Sequence, residues 1–424
     1  MKKKNSIGKF VIIAVLCAIV TFFTVFSFSL SGASKDYDFV GFARAINLGI
    51  EYKGGTVKEY SVKNNSLENT NLNGAASSNA TRIKYLLDGE GYETQTYQNG
   101  DNIVIEFIDD YSPVDIEDII NKKVTFGIKT TQSDTAEDVL TGKDVDNAYA
   151  TVSGSQNVVY IIFTSEGATK FQNALSSGTA YVYIDSNYIY SISNDSVSTY
   201  AMTGFVSPSL DSAKSYASQI MSSKFDVSFE ELSTKTFTKA DANRNVITLI
   251  SLVLGVFVLC SVLLIGLFKK LGLVGALILL IGLLLQVLIL QAIPETVFTF
   301  TTGAMFASLL SLVLGALSLY LIFDSMHKEY KLGKILQASV KFGYNKIWVT
   351  ILDIFVVILA PSVISYFMGV YFVKQFALAL IAGLFIYGLV TIVLTKFFTK
   401  WLTYIAYKNK DYGFKREAHV NELK

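Results

Sequence analysis

Apolar residues follow two different rhythms along this chain. Over residues 7–30, 246–268, 271–293, 298–323, 347–371 and 373–398 they dominate stretches of twenty residues or more. In lipid only a helix satisfies its own backbone, and about 20 residues cross the hydrocarbon layer, so these stretches predict six membrane-spanning helices. Between the first and second, apolar positions instead alternate or recur every three to four residues, as they do in a folded α+β domain. Strands are predicted at 56–62, 93–97, 102–107 and 124–129. A helix over 79–88 carries Ile83, Leu86 and Leu87 on one face and stops at Gly89. Asn99-Gly100 predicts a type I′ hairpin turn. Ser112-Pro113 starts a second helix bearing Ile116, Ile119 and Ile120. The order β-α-β-β-α-β is that of a ferredoxin-like unit. Residues 63–78, rich in Asn and Ser, read as a mobile loop.

The second half of the domain predicts a hairpin of 145–151 with 157–163 around Ser153-Gly154, and a helix capped by Ser165 that carries Ala168, Phe171 and Leu175. Strands at 180–184 and 188–192 turn at Asp185-Ser186-Asn187; a helix at 209–222 and a strand at 226–231 follow. The fold class expected is a multi-span α-helical membrane protein with six transmembrane helices and a large α+β extracytoplasmic domain containing a ferredoxin-like subdomain. Its expected parts are residues 1–32 (a short stub and the first span), 33–245 (base about 36–130 and 205–240, head about 131–204), and 246–424 (five spans and a tail).

Composition narrows the chemistry. Of 424 residues 51% are hydrophobic and 17% charged, with a net charge of +1, so nothing suggests nucleic acid. Cys17 and Cys260 both lie in apolar stretches, and His327 and His419 are far apart. The polar domain therefore has no disulfide framework or zinc site, and no His-based triad or HExxH site can be assembled. Gly89-Glu90-Gly91 lacks the third glycine of a dinucleotide loop. No catalytic residue, metal or cofactor is expected. The first apolar run exceeds the 7–15 residues of a signal-peptide core, and is read as a signal anchor.

Basic residues set the expected orientation. Lys2, Lys3, Lys4 and Lys9, then Lys269-Lys270, then Lys328, Lys331, Lys334, Lys341 and Lys346, then Lys400, Lys408, Lys410, Lys415 and Arg416 all fall on one side. The opposite short connections hold only Lys374. Both termini are expected in the cytoplasm, with the basic tail a solvated topology signal.

Several segments are similar to one family. Leu48-Gly49-Ile50-Glu51-Tyr52-Lys53-Gly54-Gly55, Leu140-Thr141-Gly142-Lys143-Asp144-Val145 with Ala148, and Phe163-Thr164-Ser165-Glu166-Gly167-Ala168 with Lys170-Phe171 lie in order through the domain, followed by Asp185 and Thr203-Gly204-Phe205. In the spans come Leu321-Ile322-Phe323-Asp324, then Gly343-Tyr344 with Thr350 and Asp353, then Gly369, Val373-Lys374 and Phe376-Ala377. In order and spacing the chain resembles the SecD/SecF family of protein-export membrane proteins, part of the resistance-nodulation-division-type class. Two positions depart from the family: Leu317 stands where the fourth span carries an aspartate of the proton path, and Ile192 where a proline follows the Asp-Gly turn.

The resemblance implies a subunit of the bacterial cell membrane that aids the Sec translocase. It would bind unfolded preprotein on the outer side, with proton flow as energy source. Its implied partners are a SecF-like membrane subunit, which would carry most of the proton path, and Sec channel components. Asp353 is the acid well inside a span. It is either a proton-titrating group at a partner interface or an acid snorkelling from a turn and a half inside its helix. Gly54-Gly55 and Asp185 read first as turn residues. The tyrosines of 181–190 read first as a strand face, and second as a contact for extended polypeptide. Two other functions stay open: a half-transporter for lipid or small hydrophobic molecules, and a degenerate family member acting as scaffold.

Overall fold

The computed structural model describes residues 2–31, 36–65, 71–90, 92, 94–108, 116–176, 178–194, 199–295, 297–369, 371–406 and 409–414. The expected helix start at Ser112-Pro113 lies outside them, as do Glu93 and the basic residues Lys408, Lys415 and Arg416. In chain order the elements are α1 (Lys2–Val25), β1 (Phe28–Ser31), β2 (Asp36–Phe39), α2 (Ile50–Lys53), β3 (Gly55–Asn64), α3 (Leu72–Gly89), β4 (Thr94–Asn99), β5 (Asn102–Ile108), α4 (Ile116–Asn121), β6 (Phe126–Lys129), β7 (Leu140–Thr141), β8 (Val145–Ser153), β9 (Gln156–Phe163), α5 (Ser165–Ser176), β10 (Thr179–Ile184), β11 (Asn187–Ser193), β12 (Met202–Ser207), α6 (Leu210–Ser222), β13 (Val227–Phe237), α7 (Lys239–Phe268), α8 (Lys270–Ala292), α9 (Thr302–Lys331), α10 (Leu336–Met368) and α11 (Tyr371–Ile405). They form two compact units, Met1–Tyr52 with Asp241–Lys424, and Lys53–Ala240.

In the first unit α1 and α7 to α11 are six helices long and apolar enough to cross a membrane. The chain is a multi-pass membrane protein. The helices differ from the expected spans mainly at their ends. α1 stops at Val25, and β1 and β2 follow as a short hairpin in which Phe28 stacks on Phe39 with ring centroids 5.0 Å apart. α10 begins at Leu336, eleven residues before the expected start at Ile347, so Asp353 sits mid-helix rather than near an end. The cause is general: a helix continues through polar residues beyond the hydrocarbon, where hydropathy gives no signal.

Close packing inside the bundle depends on small residues. A Cβ on Gly343 of α10 would lie 2.4 Å from Cα of Met326 in α9. The Tyr387 ring of α11 is held between α8 and α9, where Cβ atoms on Gly282 and Gly315 would fall 2.5 and 2.6 Å from it. The segment 409–414, after α11, is docked on the bundle where a solvated tail was expected. Tyr412 is fully buried and its hydroxyl donates to the Ala406 carbonyl at 2.7 Å; Phe414 stacks on His327, and Asp411 pairs with Lys270 at 3.2 Å. Two aromatic rings among basic residues are enough to dock it.

The second unit has two cores. A four-stranded antiparallel sheet in the order β13-β3-β5-β4 packs on α3 and α4 around Tyr60, Ile83, Leu87, Ile105, Phe107 and Ile120. This is the ferredoxin-like arrangement, but its closing strand is β13 and not the expected strand at 124–129. The latter, β6, is buried at every residue and is a central strand of another sheet, β11-β10-β6-β7. The long, half-exposed β13 suits the edge position instead. α3 starts at Leu72, inside the expected loop, because Asn71 caps it by accepting from the Gly74 amide at 3.0 Å and Ala75 and Ala76 are buried. The β4–β5 turn centres on Gly100 and Asp101, of which only Gly100 has positive φ (63°), so it is not the expected type I′ turn. The second core lies between β11-β10-β6-β7, the sheet β12-β9-β8, and helices α5 and α6.

Candidate functional site

Most of the motif residues hold the fold. Within the membrane unit, Leu48 bridges to Phe300 and the Gly49 amide donates to the Phe300 carbonyl at 3.0 Å. The Phe300 amide returns a bond to Asn47, and Asn47 Nδ2 donates to the Ile293 carbonyl. Glu51 then caps α9: its Oε1 accepts from the Thr302 amide at 2.6 Å and from Thr302 Oγ1 at 3.1 Å. A carboxylate at a helix N-terminus meets free amides and the positive end of the helix dipole. Gly49 is small because a Cβ there would sit 2.6 Å from Glu51 Oε2. Tyr52 is buried beneath, its hydroxyl on Met305 Sδ, and burial raises its pKa. Lys53 is exposed, and Gly54 and Gly55 take φ of 91° and 139°, a backbone that favours glycine.

In the second unit the two longer motifs meet at Asp144. Its Oδ1 pairs with Lys170 at 2.8 Å, and its Oδ2 accepts from the Thr141 amide at 2.8 Å. Glu166 pairs with Lys170 from the same helix at 3.0 Å. Burial alone would raise the Asp144 pKa, but the bonds from Lys170 and Thr141 together hold it below the usual range. Gly142 and Gly167 leave room at this junction: Cβ atoms there would fall 2.5 Å from the Ser223 carbonyl and 2.2 Å from that of Asp144. Asp185 and Ser186 both have positive φ, and Asp185 Oδ1 accepts from the Thr125 amide, so this is a turn. Gly204 of β12 lies under the Tyr160 ring. Ile192 is buried in the second core. Arg82, which sequence reasoning missed, donates to the carbonyls of Ile120 and Lys122 at the end of α4; burial pulls its pKa down to about 10.

Two places are not explained by folding. The first is the outer face of the sheet β12-β9-β8, away from the second core. Val159, Ile161, Phe163 and Phe205 point inward, while Tyr149, Tyr160, Ile162, Met202 and Val206 point the other way. Tyr149 and Val206 are about two-fifths exposed, at 40% and 43%. The rings of Tyr149 and Tyr160 lie 5.5 Å apart. The sequence carries a signal for this face: 158–163 is apolar at every position, whereas a strand with one wetted face alternates. In the expected tyrosine segment, Tyr183 is buried beneath the Lys129 ammonium, and only Tyr188 and Tyr190 are exposed. Both outer strands of the sheet, β8 and β12, are edges. An apolar face with free edges can take an extended chain with little sequence demand.

The second is Asp353. It lies on the exposed face of α10 with Val349, Leu352, Val356 and Val357, and no hydrogen bond or ion pair to it occurs among the described residues. Leu317 is exposed on α9. Among the described residues no cluster of His, Cys, Asp or Glu is suited to hold a metal.

No family model matches the chain. It is 26% identical over 309 residues to the protein translocase subunit SecD of Acidaminococcus fermentans, covering 71% of this chain and 72% of that one. The SecD of Petrotoga mobilis is 24% identical over 259 residues, which are 58% of this chain and 52% of that one. In sequence the chain is similar to the SecD/SecF family. A crystal structure of SecDF in a super-membrane-facing form shares the fold with a TM-score of 0.64 at 17% identity, over 95% of this chain and 58% of that chain. SecDF from Thermus thermophilus, a translocon-associated membrane protein, gives a TM-score of 0.54 at 17% identity, over 95% and 59%. This chain thus spans about three-fifths of the SecDF chains, whose remainder has no counterpart in it.

Proposed function

We propose that this protein is an accessory subunit of the Sec translocase that binds preproteins outside the cytoplasm and aids their export. The observation that carries this reading is the pairing of SecD relatives along the sequence with the SecDF fold over nearly the whole chain. It favours export over a half-transporter or a scaffold. Both termini lie in the cytoplasm, as the basic residues of the short loops indicate, and the domain of 33–245 lies outside. The apolar face of Tyr149, Tyr160, Ile162 and Val206 receives the emerging preprotein.

The SecDF chains extend beyond the part that this chain matches, which supports a SecF-like partner unit. Its docking face is that of α10 around Asp353. A carboxylate facing lipid costs about 2.5–3.5 kcal/mol at the bilayer centre and less towards its edge, and a partner helix or a water-filled path over Asp353 removes that cost. With Leu317 in place of the family's acid, the partner carries most of the proton path.

Purification of the tagged chain in mild detergent tests this. A SecF-like subunit and Sec channel components are expected to remain bound, and Asp353→Asn is expected to keep them while lowering proton-dependent export several-fold. Recovery of neither from wild type would sink the export reading; unchanged export in the variant would remove Asp353 from it.

A further inference from the structure

A cavity of about 470 Å³ opens between the lysine-rich ends of α10 and α11. Tyr344 of α10 forms part of its buried wall, and ties the two helices by donating to the Ile392 carbonyl at 2.9 Å. Three lysines line it: Lys341 from α10, and Lys396 and Lys400, one turn apart, from α11. No carboxylate lines it, and none of the three lysines forms an ion pair among the described residues. Four other lysines at this end of the bundle are neutralised. Lys334 and Lys346 share Glu329, Lys328 holds Asp324, and Lys270 holds Asp411. Three ammonium groups around one cavity repel each other, and an anion between them removes that cost. Gln337 and Asn345 add exposed amide donors at the same rim.

The depth of the cavity says which anion. Lys396 is followed at once by Phe397-Phe398, where the long apolar stretch of α11 ends. On α11, Phe397, Val393 and Leu389 run from beside Lys396 into the span as an exposed apolar face. The charge therefore sits at headgroup level, beside a surface fitted to acyl chains. We propose that this cavity binds the phosphate headgroup of an anionic phospholipid. Basic pockets between spans are suited to such headgroups, each lysine strengthening the attraction several-fold. The proposal is independent of the export reading.

Native mass spectrometry of the full-length protein, with phosphatidylglycerol or phosphatidylcholine added, tests it. Phosphatidylglycerol is expected to be retained about tenfold more strongly. The K341Q/K396Q/K400Q variant is expected to lose that preference, and K341R/K396R/K400R to keep it. The control K269Q/K270Q/K328Q removes as many charges elsewhere, and is expected to behave as wild type. If the triple glutamine variant does not accumulate, the single variants should each weaken retention several-fold. Equal loss in the control, or no preference between the two lipids in wild type, would overturn the proposal. Displacement by inorganic phosphate alone would overturn it too, assigning the cavity to a free anion.

Discussion

Asp144 joins two loops that are twenty residues apart in sequence. Its carboxylate is 9% exposed and holds Lys170, the Thr141 amide and, through its own main-chain carbonyl, the Thr164 amide. A carboxylate whose folded pKa lies below its unfolded value of about 3.9 gives stability that is complete above that value. The contribution is lost as pH falls through the depressed folded pKa. Asp144→Asn is therefore expected to destabilise the Lys53–Ala240 unit by about 1–3 kcal/mol at pH 7. The difference from wild type should shrink towards zero as pH falls through that depressed folded pKa. Hydrogen exchange of the β8 and α5 amides in the full chain, followed against pH, measures this; a difference that persists undiminished at acid pH would exclude the ion pair as its source. The sequence showed Gly142, Glu166 and Gly167 as motif residues. That their segments meet at Asp144 was not legible, because only the fold brings 141–144 to 164–170.

At the level of elements, the interior of the bundle separates shape from polarity. Tyr387 is fully buried, and its hydroxyl has no hydrogen-bond partner among the described residues. Its ring, by contrast, fills the space left by Gly282 and Gly315. Removing the hydroxyl while keeping the ring should cost nothing or stabilise slightly, since a buried unpaired polar group is itself a cost. Gly315→Ala forces the ring to move and is expected to cost about 1–3 kcal/mol. Unfolding of the purified protein in mixed micelles compares the two; Tyr387→Phe proving the more damaging would mean that the hydroxyl is bonded. The existence of all six long helices was readable from hydropathy alone, because lipid leaves the backbone few options. Their ends were not, and neither was the partner of β3. The strand at 124–129 is the local choice, yet β13, more than a hundred residues further on, takes the edge. Long-range pairing of this kind leaves no mark in a short window of sequence.

On the scale of the whole molecule, hydropathy gave the six long helices, and ordered motifs gave the likeness to SecD. The proposed binding face was only half legible. An apolar run at 158–163 marked a strand used on both sides, but the tyrosines singled out at 181–190 were partly turned inward. Asp353 was visible as an acid inside a span, whereas its mid-helix place follows from the polar start of α10 and its exposure depends on which helices neighbour it.

The strap around Glu51 has a consequence for how such a chain came to be built, and how it can be taken apart. Asn245 Nδ2, on the returning chain, donates to the Glu51 carbonyl at 2.8 Å. The membrane unit thus releases and recovers the polypeptide at a single seam. In that sense Lys53–Ala240 is a cassette: a sequence spliced into one surface turn, with the seam stitched shut beneath it. Chains tolerate such insertions where the two ends are adjacent. Replacing 53–240 by a few glycine and serine residues is expected to leave a folded six-helix protein, with near-normal melting in detergent. An aggregated or unfolded product would show that the bundle needs its passenger. A cassette that lifts out intact can also be exchanged for that of a SecD relative without rebuilding the bundle.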